Sequence, residues 1–400
     1  MGKALPDNTK ADRNRFMIIV WVNKRNWKNP GPIVNVAVHN AHSFASIGLE
    51  AHFVVGQGQP SDTVEDLRTF YGLEPAPNFH IHRVPREERK LFSSASASVF
   101  REARKLIEAL AMQDNVAVFT RESGFLPTLW RLKRNPRIRA FYELHDFYAD
   151  FSWRDNKYRL KDRREQVFEH LFLPRIDGLV CITPEQGALY QKVFPQARII
   201  ALSLGTKPQE LRDPEKRREQ RTLVYVGHMH GAKGVSFLSR AAASLGSRGI
   251  RTLFLGGYQD NAEKIIVHAR EQGLGHMVEV RSFLPPVEMH SLLATRASLG
   301  VVMLADTYYN RNLTCPVKAL DYLSHGIPTL GTEMPSVRAV MGDACVYLPE
   351  DDLPKFMLAV EALLDSPADY AAAVGKTRKR AEELTLQNRA RALADFAGGA

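Results

Sequence analysis

The apolar run Leu223 to Val226 leads straight into Gly227-His228-Met229-His230-Gly231-Ala232-Lys233-Gly234, which predicts a strand feeding a glycine-rich turn that opens a helix. Small residues at such a turn let the backbone approach an anion, and the first free N–H groups of the helix point at it. Lys233 adds a full positive charge, so Gly227, His228 and Lys233 are candidate phosphate-binding residues. Alone, the segment is equally well a tight turn with a surface lysine. It is not a P-loop, because Gly231-Ala232-Lys233-Gly234 lacks the glycine spacing and the following Ser or Thr.

The same strand-then-helix unit recurs along the chain. In the first half, Phe16 to Val22, Ala51 to Val55, Val116 to Thr120 and Ala140 to Leu144 read as strands. Val34, Ala37, Val38, Ala41, Phe44 and Ala45 form one helical stripe after the first of them. In the second half, Leu223 to Val226, Thr252 to Leu255, Val278 to Val280, Leu299 to Leu304, Thr329 to Gly331 and Cys345 to Leu348 read likewise. Such alternation predicts parallel sheets with helices on both faces. At 400 residues the chain exceeds what one core usually holds, and the charged stretch Lys207 to Arg221 separates the halves.

A second segment points to the same chemistry as the first. Pro316 suits the opening position of a helix in which Val317, Leu320 and Leu323 repeat, and Gly326 with Pro328 stops it. Lys318 then falls in the first turn, where the helix dipole disfavours a cation by roughly 0.3–1 kcal/mol unless an anion is also present. Asp321, three residues on, shares its face and can accept hydrogen bonds from sugar hydroxyls.

Together the two segments resemble the donor-binding half of the GT-B glycosyltransferases, particularly the retaining nucleotide-sugar enzymes of glycosyltransferase family 4. The matching residues are Tyr225-Val226-Gly227 through Lys233-Gly234, and Pro316-Val317-Lys318 through Asp321-Tyr322 to Gly326-Ile327-Pro328. Pro335 to Ala344 is similar to the family's loop and short helix beside the nucleotide. The resemblance implies two Rossmann-like domains facing a central cleft. It places an acceptor domain at 1–206, a donor domain at 207–375, and a final segment at 376–400 whose Leu386 to Phe396 packs back on the first domain.

Several roles follow from the resemblance alone. His145, just past the strand that ends in Glu143-Leu144, becomes the reactive-centre residue facing the donor sugar. Gly31, between Pro30 and Pro32, matches the loop that faces the diphosphate, although the family's paired glycines are reduced here to one. Arg281 occupies the loop that contacts the base. Asp321 stands for the second acid of an E-x(7)-E pair, while the first acid's position holds Leu313. His228 stands where many members carry arginine. The implied activity is transfer of a sugar from a nucleoside-diphosphate sugar to a glycan or lipid-linked acceptor, with retention of configuration and with no metal or other cofactor required by the motifs. The pyrophosphate charge would be held by Lys233 and Lys318.

Composition narrows the partners. The net charge of +10 favours a negatively charged ligand or surface, yet no zinc-finger, RNP or helix-turn-helix signature supports specific nucleic-acid binding. Arg86 to Lys105 and Phe151 to Lys161 mix basic and aromatic residues, a pattern compatible with an anionic membrane interface or with a solvated helix face. Without a membrane-span run or an apolar leader, the expectation is a cytoplasmic protein, at most peripheral at the membrane. Cys181, Cys315 and Cys345 have no C-x-x-C spacing and read as reduced thiols. A GT-B sugar-nucleotide epimerase and a non-catalytic GT-B protein with a degenerate donor site stay open. A dinucleotide oxidoreductase is disfavoured, because Gly56-Gln57-Gly58 lacks the third glycine of the fingerprint.

Overall fold

The computed structural model describes residues 17–85, 96–152, 159–229, 234–257 and 259–399. Lys233, the first half of the segment Arg86 to Lys105 and the middle of the segment Phe151 to Lys161 lie outside them. Among the described residues, thirteen strands form two fully parallel sheets. The first contains β1 (Met17–Asn26), β2 (Ala51–Gly56), β3 (Phe79–Val84), β4 (Asn115–Thr120), β5 (Ile138–Leu144), β6 (Gly178–Cys181) and β7 (Ile199–Ala201), in the order β3-β2-β1-β4-β5-β6-β7. The second contains β8 (Thr222–Val226), β9 (Arg251–Leu255), β10 (Val278–Arg281), β11 (Leu299–Val302), β12 (Thr329–Thr332) and β13 (Cys345–Leu348), in the order β10-β9-β8-β11-β12-β13. Each sheet reverses its winding once, between β1 and β4 and between β8 and β11. Those reversals open a crevice at the carboxyl ends of the strands.

Strand β7 at one edge of the first sheet is not among the strands read from sequence, and β1 and β3 differ as well. β1 runs to Asn26, four residues past the apolar run. β3 is not apparent from sequence, because Phe79-His80-Ile81-His82-Arg83-Val84 is an edge strand whose middle residues are only partly covered. Pairing with β2, from Ala51 opposite Phe79 to Gly56 opposite Val84, creates it. Among the described residues no helix is long and apolar enough to cross a membrane.

The linker stretch is more structured than its charge suggests. Asp213 caps the helix Pro214–Glu219 through the amides of Glu215 and Lys216. Arg217 on that helix is buried and donates to the carbonyls of His325 and Gly326.

The final helix, Leu386–Gly398, lies on the first sheet. An aromatic column runs Trp21–Phe119–Phe141–Phe396 with centroid separations of 5.6, 5.0 and 5.6 Å. Gly178 makes the last contact feasible, since a Cβ there would sit 2.5 Å from the Phe396 ring. The same helix carries Arg389 into the interior. Its guanidinium donates to Glu143 Oε2 at 2.8 Å, Asn40 Oδ1 at 3.1 Å and the Ser203 carbonyl at 3.1 Å. Both charged side chains are almost wholly buried, at 3% and 1% exposure.

Removing one partner of such a pair strands the other charge in the interior, at a typical cost of about 3–5 kcal/mol. Arg389→Ala is expected to lose stability on that order by urea denaturation. A loss below about 1 kcal/mol would show that the pair does not hold the helix.

Candidate active site

A cavity of about 620 Å³ lies between the two sheets. It is lined by the segments that follow the strands at both reversals. From the first sheet come Asn29 to Val36 after β1, Arg121 after β4, His145 after β5 and Ile182 after β6. From the second come Gly227 and His228 after β8, Gly256 after β9, Phe283 and Leu284 after β10, and residues between Leu304 and Asp321 after β11.

Gly31 caps the helix Pro32–Ser46 with φ of 90°, a backbone state that a side chain would strain. It feeds Pro32 into the first helical position, and the buried stripe Val34, Ala37, Val38, Ala41, Phe44 and Ala45 holds the helix on the sheet. The loop Asn29-Pro30-Gly31 is thereby presented to the cavity.

On the opposite side, the helix Val317–Ser324 begins one residue later than expected, with Pro316 as its N-cap rather than its first residue. Tyr322 clamps this helix to β8. Its hydroxyl donates to the Val224 carbonyl at 2.9 Å and accepts from the Val226 amide at 3.0 Å. Gly300 leaves room for that ring, because a Cβ there would lie 2.6 Å from it.

The clamp sets Lys318 against Tyr225. The ammonium sits 3.8 Å from the Tyr225 ring centroid, and only 9% of Lys318 is exposed. Cation–π attraction offsets part of the cost of burying that charge. Gly227, at φ 128°, opens the other side of the pocket, since a Cβ on it would lie 3.5 Å from Lys318 Cε. Tyr225 in turn donates through its hydroxyl to the His228 carbonyl at 2.6 Å, shaping the turn. The His228 ring meets Phe283 edge-on at 5.4 Å.

Asp321 is partly buried one helical turn from Lys318 and lines the same cavity. Burial pushes its carboxyl up to about 7, with Lys318 opposing. Leu313, at the position of the absent first acid, is fully buried in the core at the cavity wall.

His145 Nε2 lies 2.6 Å from Glu143 Oε1. Burial, then the charge of Arg121, lowers the imidazole pKa despite the carboxylate. Burial alone would raise Glu143, but Arg389, His145 and Arg121 together hold it down at about 2. A neutral His145 beside an ionised Glu143 donates from Nε2, which leaves Nδ1 as an acceptor.

Gly31, His145, Gly227, His228, Lys318 and Asp321 therefore surround one cavity. Arg281 does not line it. Its guanidinium pairs with Glu279 at 2.8 Å and Glu288 at 3.8 Å, so the expectation of a base contact is replaced by a surface ion network. Its neighbours Phe283 and Leu284 line the cavity instead. Sequence reasoning missed Arg121, a second cation in the wall, although it follows β4 just as His145 follows β5. It also missed Arg389, which reaches Glu143 from 246 residues away.

Comparison with known proteins supports the fold. Residues 220–366 match the sequence model of the family described as glycosyl transferases group 1. Among solved structures, WaaG, a glycosyltransferase involved in lipopolysaccharide biosynthesis, superposes with a TM-score of 0.63 at 16% identity, over 96% of this chain and 100% of its own. Anabaena HepE in complex with UDP and glucose superposes at 0.62 with 12% identity over 94% and 98%. The pneumococcal O-GlcNAc transferase GtfA in complex with UDP and GlcNAc gives 0.69 with 11% identity over 96% and 99%. The architecture is GT-B. No curated protein matches the chain in sequence.

The raised Asp321 carboxyl has a pH signature. The native state keeps the proton to about 7, whereas the unfolded chain releases it near 3.8, so this group lowers stability progressively as pH rises between those values. Asp321→Asn is expected to gain stability relative to wild type between pH 4 and pH 8, measured by thermal melting. A difference independent of pH would show that the carboxyl is not perturbed.

Proposed function

We propose that the protein is a glycosyltransferase that moves a sugar from a nucleoside-diphosphate sugar to a glycan or lipid-linked acceptor. The observation that carries this reading is the cavity at the two facing switch points, with the buried Lys318 ammonium at the start of one helix and His145 on the opposite wall. Departure of a nucleoside diphosphate accumulates negative charge on the pyrophosphate, and preorganised cations and helix-end amides stabilise it where water is excluded. Lys318 and the first amides of the helix Val317–Ser324 supply that on this chain, with Lys233 as the second proposed cation. Asp321 accepts hydrogen bonds from ribose hydroxyls. Neutral His145 accepts one from the donor sugar through Nδ1, held in that tautomer by Glu143. Retention of configuration and membership of family 4 are part of the proposal through the resemblance of the P-x-K and K-G segments.

The relatives in complex with UDP make uridine diphosphate the first probe. UDP and other nucleoside diphosphates are expected to raise the melting temperature of wild type, and Lys318→Ala to abolish the shift and lower kcat/KM by roughly 10²–10³. Hydrolysis or epimerisation of a donor without acceptor would favour the epimerase, and no shift with any nucleotide would favour a degenerate site. At His228 a permanent cation would replace a pH-dependent one. His228→Arg should hold or raise activity at alkaline pH, and a ten-fold loss there would remove His228 from the phosphate site.

The acceptor surface is proposed to tolerate an anionic membrane. On the helix Ala97–Leu110, however, Arg104 pairs with Glu108 and Lys105 with Glu102, which neutralises part of its basic face. Sedimentation with anionic vesicles that weakens as salt is added would support membrane contact. Absence of sedimentation at low salt would leave a soluble glycan as the acceptor.

A further inference from the structure

The edge of the first sheet carries a cluster remote from the cavity. His52 on β2 stands directly opposite His80 on β3, and Glu50 precedes β2 on the same side. One ligand atom from each of Glu50, His52 and His80 lies within 4.8 Å of the other two. His52 Nε2 is 2.9 Å from Glu50 Oε1, while its Nδ1 is 2.9 Å from His82 Nε2. The His52 ring lies 4.7 Å from that of His80 and 5.2 Å from that of His82, centroid to centroid.

We propose that Glu50, His52 and His80 bind a divalent first-row transition ion, with zinc as the representative. Two imidazoles and a carboxylate are a donor set suited to zinc, which takes such ligands at roughly 2.0–2.2 Å and completes a tetrahedron with water. Glu50 is exposed, while His52 is buried.

His82 completes the arrangement as a positioning residue. A histidine ligand commonly donates from its second nitrogen to a neighbouring acceptor, which fixes the tautomer and the ring orientation. When His52 Nδ1–H donates to His82 Nε2, the His52 Nε2 lone pair points at the position between it and Glu50. The ion then replaces the proton that otherwise bridges those two atoms.

The site has a structural task. Glu50, His52 and His80 lie at the amino ends of β2 and β3, whereas the cavity opens at the carboxyl ends of the strands. The ion would tie the edge strand β3 to its neighbour β2.

The test uses the full-length chain without a histidine tag, freed of metal by chelator and titrated with zinc by calorimetry, alongside His80→Gln and His82→Ala. Wild type should bind one equivalent and gain melting temperature with zinc. His80→Gln should lose both, and His82→Ala should weaken affinity by roughly 10–100-fold. Nucleotide-induced melting shifts should be the same with and without zinc. Wild type that binds no zinc at stoichiometric concentration, or equal binding by His80→Gln, would overturn the site. An effect of zinc on the nucleotide shift would overturn its structural role.

Discussion

Arg389 and Glu143 couple the last helix of the chain to the cavity. Glu143 gives one carboxylate oxygen to Arg389 and the other to His145, so the side chain beside the histidine is held in its charged form by a guanidinium from the carboxyl-terminal helix, with His145 and Arg121 adding to it. Loss of that cation would shift Glu143 toward the protonated acid, which would weaken its hold on His145 Nε2–H. The aromatic column ending in Phe396 keeps the helix seated while the ion pair sets its register. Packing and electrostatics thus act on one element, and the chemistry of the first wall depends on both.

The second wall uses a different solution to the cost of a buried charge. Lys318 rests on the face of Tyr225, next to a glycine that leaves space rather than contacts on one side. An aromatic face attracts an ammonium less strongly than a carboxylate would. Asp321, the acid closest in sequence, has its carboxyl raised by burial and only partly offset by Lys318.

Much of this architecture was readable in one dimension. The alternation of apolar runs and amphipathic stripes announced parallel sheets, and the helix Pro32–Ser46 buries the same residues that its periodicity singled out. Gly31, Gly227 and the Pro316 to Pro328 segment stood out because glycine and proline restrict the backbone locally. β3 escaped notice because an edge strand with histidines at alternate positions has no apolar signature. Arg281 was misplaced because its position after β10 was correct, whereas its side chain found two surface carboxylates nearer than the cavity.

Sequence alone determined what depends on short-range covalent and steric rules: where strands end, which turns need glycine, which helix begins with a lysine in its first turn. Tertiary structure decided what depends on burial and on residues far apart in the chain. It set Tyr322 as the clamp on β8, brought Arg121 and His145 to one wall, raised Asp321 by desolvation, and joined Arg389 to Glu143 across most of the chain. Desolvation and long-range pairing have no one-dimensional pattern, because both arise only once distant elements have excluded water from the same space.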